Sequence, residues 1–152
     1  MLDGGADGVG SEVPALIAGL GAAAVHLCDA PGSACVGSGI MHHKTFLFSA
    51  LTDGRRDVVA QASHNLTTTQ LTMHNNAVIV AGDATLYAAY RRTWDDLFAD
   101  VEIPAYDRRA DGDGPTHVQF FPRPTGDPVI EALAAVRCDP TARGSRPGAR
   151  WR

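Results

Sequence analysis

The spacing of apolar residues predicts a series of short strands in the first half of the chain. Apolar side chains fall on both faces from Ile40 to Leu51, a pattern typical of a strand buried on both sides. The polar segment Thr52–Arg56 predicts a turn, and residues 57–63 then predict a hairpin partner for the preceding strand. A third strand is predicted over Asn75–Val80, and a short one over Ala22–Cys28.

Helical spacing is clearest after Asp83, which is placed to cap a helix that runs to about Ala99. The aromatic and aliphatic residues of this helix form a single stripe, which we interpret as core packing. The stripe consists of Leu86, Tyr87, Tyr90, Trp94, Leu97 and Phe98. Shorter helices are predicted from Ser11 through Gly19 and over Asp127–Arg137, and a further strand over His117–Phe121. This order of elements predicts an α/β sandwich, with a mixed sheet flanked by helices.

Composition and charge narrow the classes of function. The chain has 152 residues, of which 45% are hydrophobic and 20% charged, as in a globular domain with its own core. The net charge of -4 argues against a general nucleic-acid coat protein, because phosphate binding requires clustered cations. No apolar run is long enough to span a bilayer, and the first residues do not have the pattern of a signal peptide.

Three cysteines are present, and their spacing leaves their state open. Cys28 and Cys35 bracket a loop that contains Pro31, Gly32 and Ser33, so a local disulfide bond is geometrically feasible. The alternative is that these two residues and Cys138 are ordinary free thiols. A metal site built from the cysteines and His42 or His43 is disfavoured, because the spacing contains no tight pair such as Cys-x-x-Cys.

The candidate chemistry lies in the predicted strands. His42 and Lys44 are two residues apart, so they would share one face of a strand, while His43 would point away. Lys44 is the only lysine among 13 basic residues. An imidazole beside an ammonium supplies a nucleophile for phosphorus and a cation for its oxygens. Ser63 and Asn65, which end the next strand, would add neutral hydrogen-bond donors.

These two elements resemble the His-x-Lys and Gly-Ser-x-Asn motifs of the phospholipase D superfamily. The segments Gly39–Ser49 and Asn75–Val78 look most similar to secreted actinobacterial phospholipase D-like proteins. The resemblance extends over about residues 2–100 as one half-domain and 117–138 as the opening of a second. His43 and His64 occupy the variable positions of the two motifs and His74 lies after them, and all three are interpreted as structural or solvent-facing.

The resemblance implies a two-step mechanism through a phosphohistidine, without a metal or other cofactor. Carried over to this sequence, His42 would be the nucleophile or the acid, Lys44 and Asn65 would bind phosphate oxygens, and Ser63 would support them. At two positions where the family tends to place acidic residues, this chain has neutral ones, namely Ser49, five positions after the lysine, and Asn75. We expect the Asn75 side chain to fix the tautomer of the histidine ring. The residue before Ser63 is Ala62 instead of glycine.

A site of this family needs two His-x-Lys motifs, and this chain contains one. Either two copies pair, or the chain is a fragment of a longer two-motif enzyme. The strand and helix predicted over 117–138 favour the fragment, because a dimeric half would not need them. The predicted organisation is a half-domain at 1–106, a polar linker at 107–116, the start of a second half-domain at 117–138 and a disordered tail at 139–152.

The resemblance therefore predicts an extracellular hydrolase or transphosphatidylase acting on phosphodiesters, with phospholipid head groups as the expected substrate. Two alternatives remain open at this point. One is a catalytically silent phosphate-binding or interaction module, and the other is a dimeric nuclease, against which the negative charge argues.

Overall fold

The structure, a computed structural model, describes residues 2–3, 12–28, 35–37, 41–64 and 72–137. Within these residues the chain is of the α/β class, with three α-helices and three small sheets. The strands are β1 (Leu2–Asp3), β2 (Leu27–Cys28), β3 (Thr45–Ala50), β4 (Arg56–Ala62), β5 (Ala77–Val80), β6 (Arg108–Asp111) and β7 (His117–Phe120). The helices are α1 (Glu12–Leu20), α2 (Ala84–Ala99) and α3 (Pro128–Ala134), with one turn of 3-10 helix at Ala22–Ala24.

The central sheet has the order β3-β4-β5 and is antiparallel throughout. Its hairpin β3-β4 and its third strand are the elements that the apolar pattern predicts. Parallel pairing occurs between β1 and β2, and β6 and β7 form a separate antiparallel hairpin. The described residues thus place parallel and antiparallel pairs in different sheets, whereas the sequence predicted one mixed sheet.

Helix α2 begins where the sequence predicts, at a cap formed by Asp83. One carboxylate oxygen of Asp83 accepts a hydrogen bond from the backbone N–H of Leu86 at 2.8 Å. The other oxygen accepts one from the N–H of Asp113 at 3.0 Å, in the turn between β6 and β7. Gly112 lies so close to this carboxylate that a Cβ there would overlap it. The buried Asp83 side chain therefore fixes both the start of α2 and the position of the β6-β7 hairpin.

The hydrophobic core lies between α2, the central sheet and the β6-β7 hairpin. Leu86 is its most completely buried large side chain, with 1% of its surface exposed. Tyr90 packs edge-on against Phe120, with ring centroids 4.9 Å apart. The buried members of the cluster are Cys28, Cys35, Val36, Val59, Leu86, Tyr90, Leu97, Tyr106 and Phe120.

A disulfide bond joins Cys28 and Cys35, whose Cα atoms are 4.9 Å apart. Both residues are buried within the core cluster. The bond therefore ties the end of β2 to the short segment 35–37. Cys138 lies outside the described residues.

Three predicted elements differ from those observed. The strand predicted from Ile40 begins only at Thr45, and most of the strand predicted over Ala22–Cys28 is 3-10 helix and loop. Residues 108–111, predicted as part of a polar linker, form β6. This polar strand is held by its pairing with β7 and by an ion pair between Arg108 and Asp96 at 3.1 Å.

The start of the predicted second half, β7 and α3, also differs in how its two elements are packed. Phe120 of β7 belongs to the same core as Leu86 and Tyr90. Helix α3, by contrast, buries none of its residues, and Val129, Ile130 and Leu133 are each at least 60% exposed. The proposed tail at 139–152 lies outside the described residues, and the domain boundaries remain a prediction. None of the described helices combines the length and apolar character needed to cross a membrane.

Candidate functional site

The segment that carries His42 and Lys44 leads directly into β3. Residues 41–44 have no regular secondary structure, and the strand starts at Thr45. The backbone carbonyl of Lys44 accepts a hydrogen bond from the N–H of Ala62 at 2.9 Å, so pairing with β4 extends to Lys44. The motif is therefore anchored to the central sheet at its lysine and is irregular on the histidine side.

The Lys44 side chain turns back toward His42. Its ammonium donates a hydrogen bond to the backbone carbonyl of His42 at 2.9 Å. Lys44 is half-buried, and this burial lowers its pKa from the ordinary lysine value. His42 is exposed, so its imidazole is accessible to solvent. The Lys44 ammonium therefore bonds to the backbone of the residue that presents this imidazole.

The Ser63 hydroxyl is engaged elsewhere. It accepts a hydrogen bond from the backbone N–H of Asn76 at 3.0 Å, and the Ser63 N–H donates to the carbonyl of the same residue at 3.0 Å. Thr45 pairs with Gln61, so in the register of the ladder Lys44 is opposite Ala62 and His43 is opposite Ser63. The structure therefore does not bring the Ser63 hydroxyl to the Lys44 ammonium.

The other predicted site residues are placed as follows. Asn65 lies outside the described residues. Asn75 donates a hydrogen bond from its side chain to the carbonyl of Met73 at 3.0 Å, in the turn before β5. Ser49 is exposed near the far end of β3, about 16 Å along the strand from Lys44 at the usual rise per residue. Ser49 therefore takes no part in this arrangement.

His43, which the sequence assigned to a structural or solvent-facing role, is the most constrained histidine of the motif. Its Nε2 lies 2.6 Å from the hydroxyl of Thr45, and that hydroxyl donates to Oε1 of Gln61 at 2.8 Å. A hydroxyl has one proton to donate. Because that proton goes to Gln61, the Thr45 oxygen must accept from Nε2 of His43. The arrangement assigns the proton to Nε2 and leaves Nδ1 as an acceptor.

The electrostatic surroundings also favour a neutral His43 ring. Desolvation by the protein atoms around the ring lowers the pKa of His43 from its ordinary value, although the residue as a whole keeps much of its surface exposed. The neighbouring Lys44 ammonium lowers it further. Both effects disfavour the imidazolium form.

A cleft of about 540 Å³ lies between the start of β3, helix α2 and strand β7, and we call it the α2 cleft. Its wall is mainly apolar and includes Val36, Met41, Tyr90, Leu97 and Phe120. Uncharged polar side chains interrupt this wall, namely those of Gln61, Thr93 and Gln119. His42 and His43 line its rim on the side of the motif. Its size falls in the range of small-molecule sites.

Thr93 is the most deeply buried of these polar residues, with 3% of its surface exposed. The Thr93 hydroxyl lies close enough to the Tyr106 phenol to lower the pKa of that phenol by hydrogen bonding, but the contact does not have standard hydrogen-bond geometry. The Tyr106 hydroxyl donates to Asp96 at 2.9 Å. A buried hydroxyl without a well-formed hydrogen bond is costly and therefore marks a place where a ligand or water would be stabilised.

Two other histidines lie close to the motif in sequence. His64 is half-buried, and its Nδ1 is buried without a hydrogen-bond partner among the described residues. His74 is exposed in the turn before β5.

One cluster has the ligand types of a metal site. His26, Cys35 and Asp100 bring one ligand atom each to within 4.8 Å of one another. The sulfur of Cys35 is bonded to Cys28, so it cannot act as a thiolate ligand. Nε2 of His26 lies 3.4 Å from a carboxylate oxygen of Asp100.

Comparison with known proteins adds no relative to this picture. No family model, curated protein or solved structure is significantly similar to the chain.

The state of His43 gives the first testable prediction. We expect its ring to be neutral at pH 7, with the proton on Nε2, and to titrate below the ordinary histidine pKa of about 6.5. Long-range ¹H–¹⁵N spectra of the histidine rings, recorded over a pH series, report both properties. In Thr45→Val, which removes the acceptor, the preference for the Nε2 tautomer should be lost. A proton on Nδ1 in the unmodified chain would contradict the assignment.

The sign of the linked stability follows from the lowered pKa. The unfolded chain binds a proton at His43 near pH 6.5, whereas the folded chain binds it only at lower pH. The stabilisation is therefore complete above the unfolded pKa and is lost as the pH falls through that value toward the folded pKa.

Proposed function

We propose that this chain is a phospholipase D-like protein and that His42 and Lys44 form half of a phosphodiester-cleaving site. The observation that carries the proposal is the position of the only lysine, whose ammonium is held 2.9 Å from the carbonyl of His42. The exposed imidazole can reach a phosphorus atom while the ammonium, close by, attracts the non-bridging oxygens. The Ser-x-Asn element that comes after the neighbouring strand in the sequence agrees with the same family pattern.

The proposed reaction has two steps. His42 attacks phosphorus, a phosphohistidine forms and the bond to the leaving alcohol breaks. A second histidine protonates that alcohol, and water or another alcohol then releases the phosphoryl group from His42. If two copies pair, one His42 is the nucleophile and the other is the acid. Otherwise the second motif belongs to further polypeptide.

Phospholipid head groups are the proposed leaving alcohols, and this part of the proposal rests on the family resemblance. The net charge of -4 supports it against a nuclease, because a nucleic-acid backbone would be repelled. The disulfide bond between Cys28 and Cys35 agrees with an extracellular site of action.

Lys44→Ala tests the proposal. The rate of choline release from phosphatidylcholine vesicles should fall by at least about a hundredfold, because the charge that stabilises the phosphorane oxygens is lost. Arg92→Ala is the matched control, since it removes an exposed cation from α2 away from the motif, and it should leave the rate unchanged.

Three outcomes would contradict the proposal. A rate that Lys44→Ala leaves intact would show that the lysine is not used. Phosphate binding without turnover would favour the silent module. Faster cleavage of a single-stranded oligonucleotide than of phosphatidylcholine would favour the nuclease.

A further inference from the structure

The α2 cleft has the composition of a ligand site, and although His42 is one of its lining residues, the groups that define its ligand are not those of the phosphoryl-transfer proposal. Its described lining contains no lysine, arginine, aspartate or glutamate. The aromatic rings of Tyr90 and Phe120 and the side chains of Val36 and Leu97 belong to its apolar wall. A charged ligand would lose its hydration on entering and find no ammonium, guanidinium or carboxylate group in the described lining.

The polar groups of the cleft include both donors and acceptors. The Thr93 hydroxyl is almost fully buried and makes no hydrogen bond of standard geometry with a described residue, its contact with Tyr106 being poorly oriented. His43 offers Nδ1 as an acceptor, because its Nε2 proton is donated to Thr45. Gln61 uses its carbonyl oxygen for Thr45, which leaves its amide protons as donors. A ligand hydroxyl, which donates and accepts at once, matches this set.

We propose that the α2 cleft binds an uncharged, mainly apolar alcohol, with the Thr93 hydroxyl as its principal hydrogen-bond partner. The apolar body of the ligand lies against Tyr90, Leu97 and Phe120. Its hydroxyl group satisfies the Thr93 oxygen, which otherwise makes no well-oriented hydrogen bond with the described residues. This site would exist whether or not His42 and Lys44 catalyse a reaction.

Octan-1-ol is a suitable probe, because it combines one hydroxyl with an apolar chain. In ¹H–¹⁵N spectra of the full chain we expect saturable shifts at residues of the cleft, with a Kd below about 1 mM. Octanoate and octylammonium have the same chain length but carry a charge. They should bind at least about tenfold more weakly, because the described lining of the cleft offers no ammonium, guanidinium or carboxylate group to pair with them.

Thr93→Val separates binding from folding. Valine keeps the shape of threonine but removes the hydroxyl, so the affinity for octan-1-ol should fall about tenfold. The melting temperature of the free protein should stay the same or rise, because an unpaired buried hydroxyl is removed. Thr85→Val is the matched control on the same helix. Thr85 is exposed and bonds to Asp113, so this change should leave the affinity unaltered.

Several results would overturn the proposal. They are the absence of saturable binding, equal binding of octan-1-ol and the charged probes, and an affinity that Thr93→Val does not change. If Thr93→Val lowers the melting temperature markedly, His43→Phe gives a second reading, because it removes the acceptor at the rim of the cleft while keeping an aromatic ring. Unchanged affinity in that variant would equally refute the site.

Discussion

His42→Asn should reduce phosphodiester turnover by at least about a thousandfold. Asparagine is close to histidine in size and remains polar, but it can neither attack phosphorus nor transfer a proton. His42 is exposed, so the substitution should leave the core intact. Choline release from phosphatidylcholine vesicles measures the effect, with the melting temperature recorded to confirm that the variant is folded.

The control for this change is His74→Asn. His74 is also exposed, and it lies in the turn before β5, outside the motif. This variant should keep the full rate. A His42→Asn protein that retains more than about a tenth of the rate would show that His42 does not take part in the chemistry.

The second large effect concerns stability. Leu86→Ala should lower the free energy of unfolding by about 2–5 kcal/mol, because a large side chain is removed from a packed interior and leaves a cavity. Leu86 is 1% exposed and follows the Asp83 cap at the start of α2, where the helix meets the central sheet. Urea denaturation with the disulfide bond intact gives the value directly.

Leu133→Ala on α3 is the matched control for Leu86→Ala. Leu133 is 64% exposed, so the same chemical change should alter stability by no more than about 0.5 kcal/mol. Equal losses in the two variants would contradict the position of the core between α2, the central sheet and the β6-β7 hairpin.

The elements predicted correctly are those with strong local signals. Asp83 is a capping residue before a helical stripe, and the capping hydrogen bond to Leu86 is present. The hairpin β3-β4 follows from two apolar segments joined by a turn that contains Asp53 and Gly54. Such signals act over a few residues and need no knowledge of the tertiary structure.

The errors arise where distant contacts decide the conformation. Residues 108–111 are polar and show no apolar alternation, yet they form a strand because β7 pairs with them and Asp96 on α2 binds Arg108. Residues 41–44, which were predicted to belong to the same strand, have no regular secondary structure, and here the Lys44 side chain bonds back to the His42 carbonyl. Neither contact is visible in local spacing.

The candidate site was predicted only in part for the same reason. Strand alternation predicted that His43 points away from His42 and Lys44, but residues 41–44 have no regular secondary structure and both histidines line the α2 cleft. The sequence does not indicate that His43 borders a cleft, because the walls come from α2 and β7, far along the chain. In the sequence Thr93 is an ordinary polar residue in the middle of a helix, and only the structure shows that its buried hydroxyl makes no hydrogen bond of standard geometry with a described residue.

The position of the phosphoryl group during turnover tests the central proposal most directly. The purified full chain would be mixed with phosphatidylcholine vesicles, quenched at neutral pH within the first turnovers and mapped by peptide mass spectrometry. We expect a phosphatidyl adduct on His42, and none in His42→Asn. Head-group release with the adduct on His43 or His64, or with no histidine adduct at all, would contradict the proposal that His42 and Lys44 form the phosphodiester-cleaving half-site.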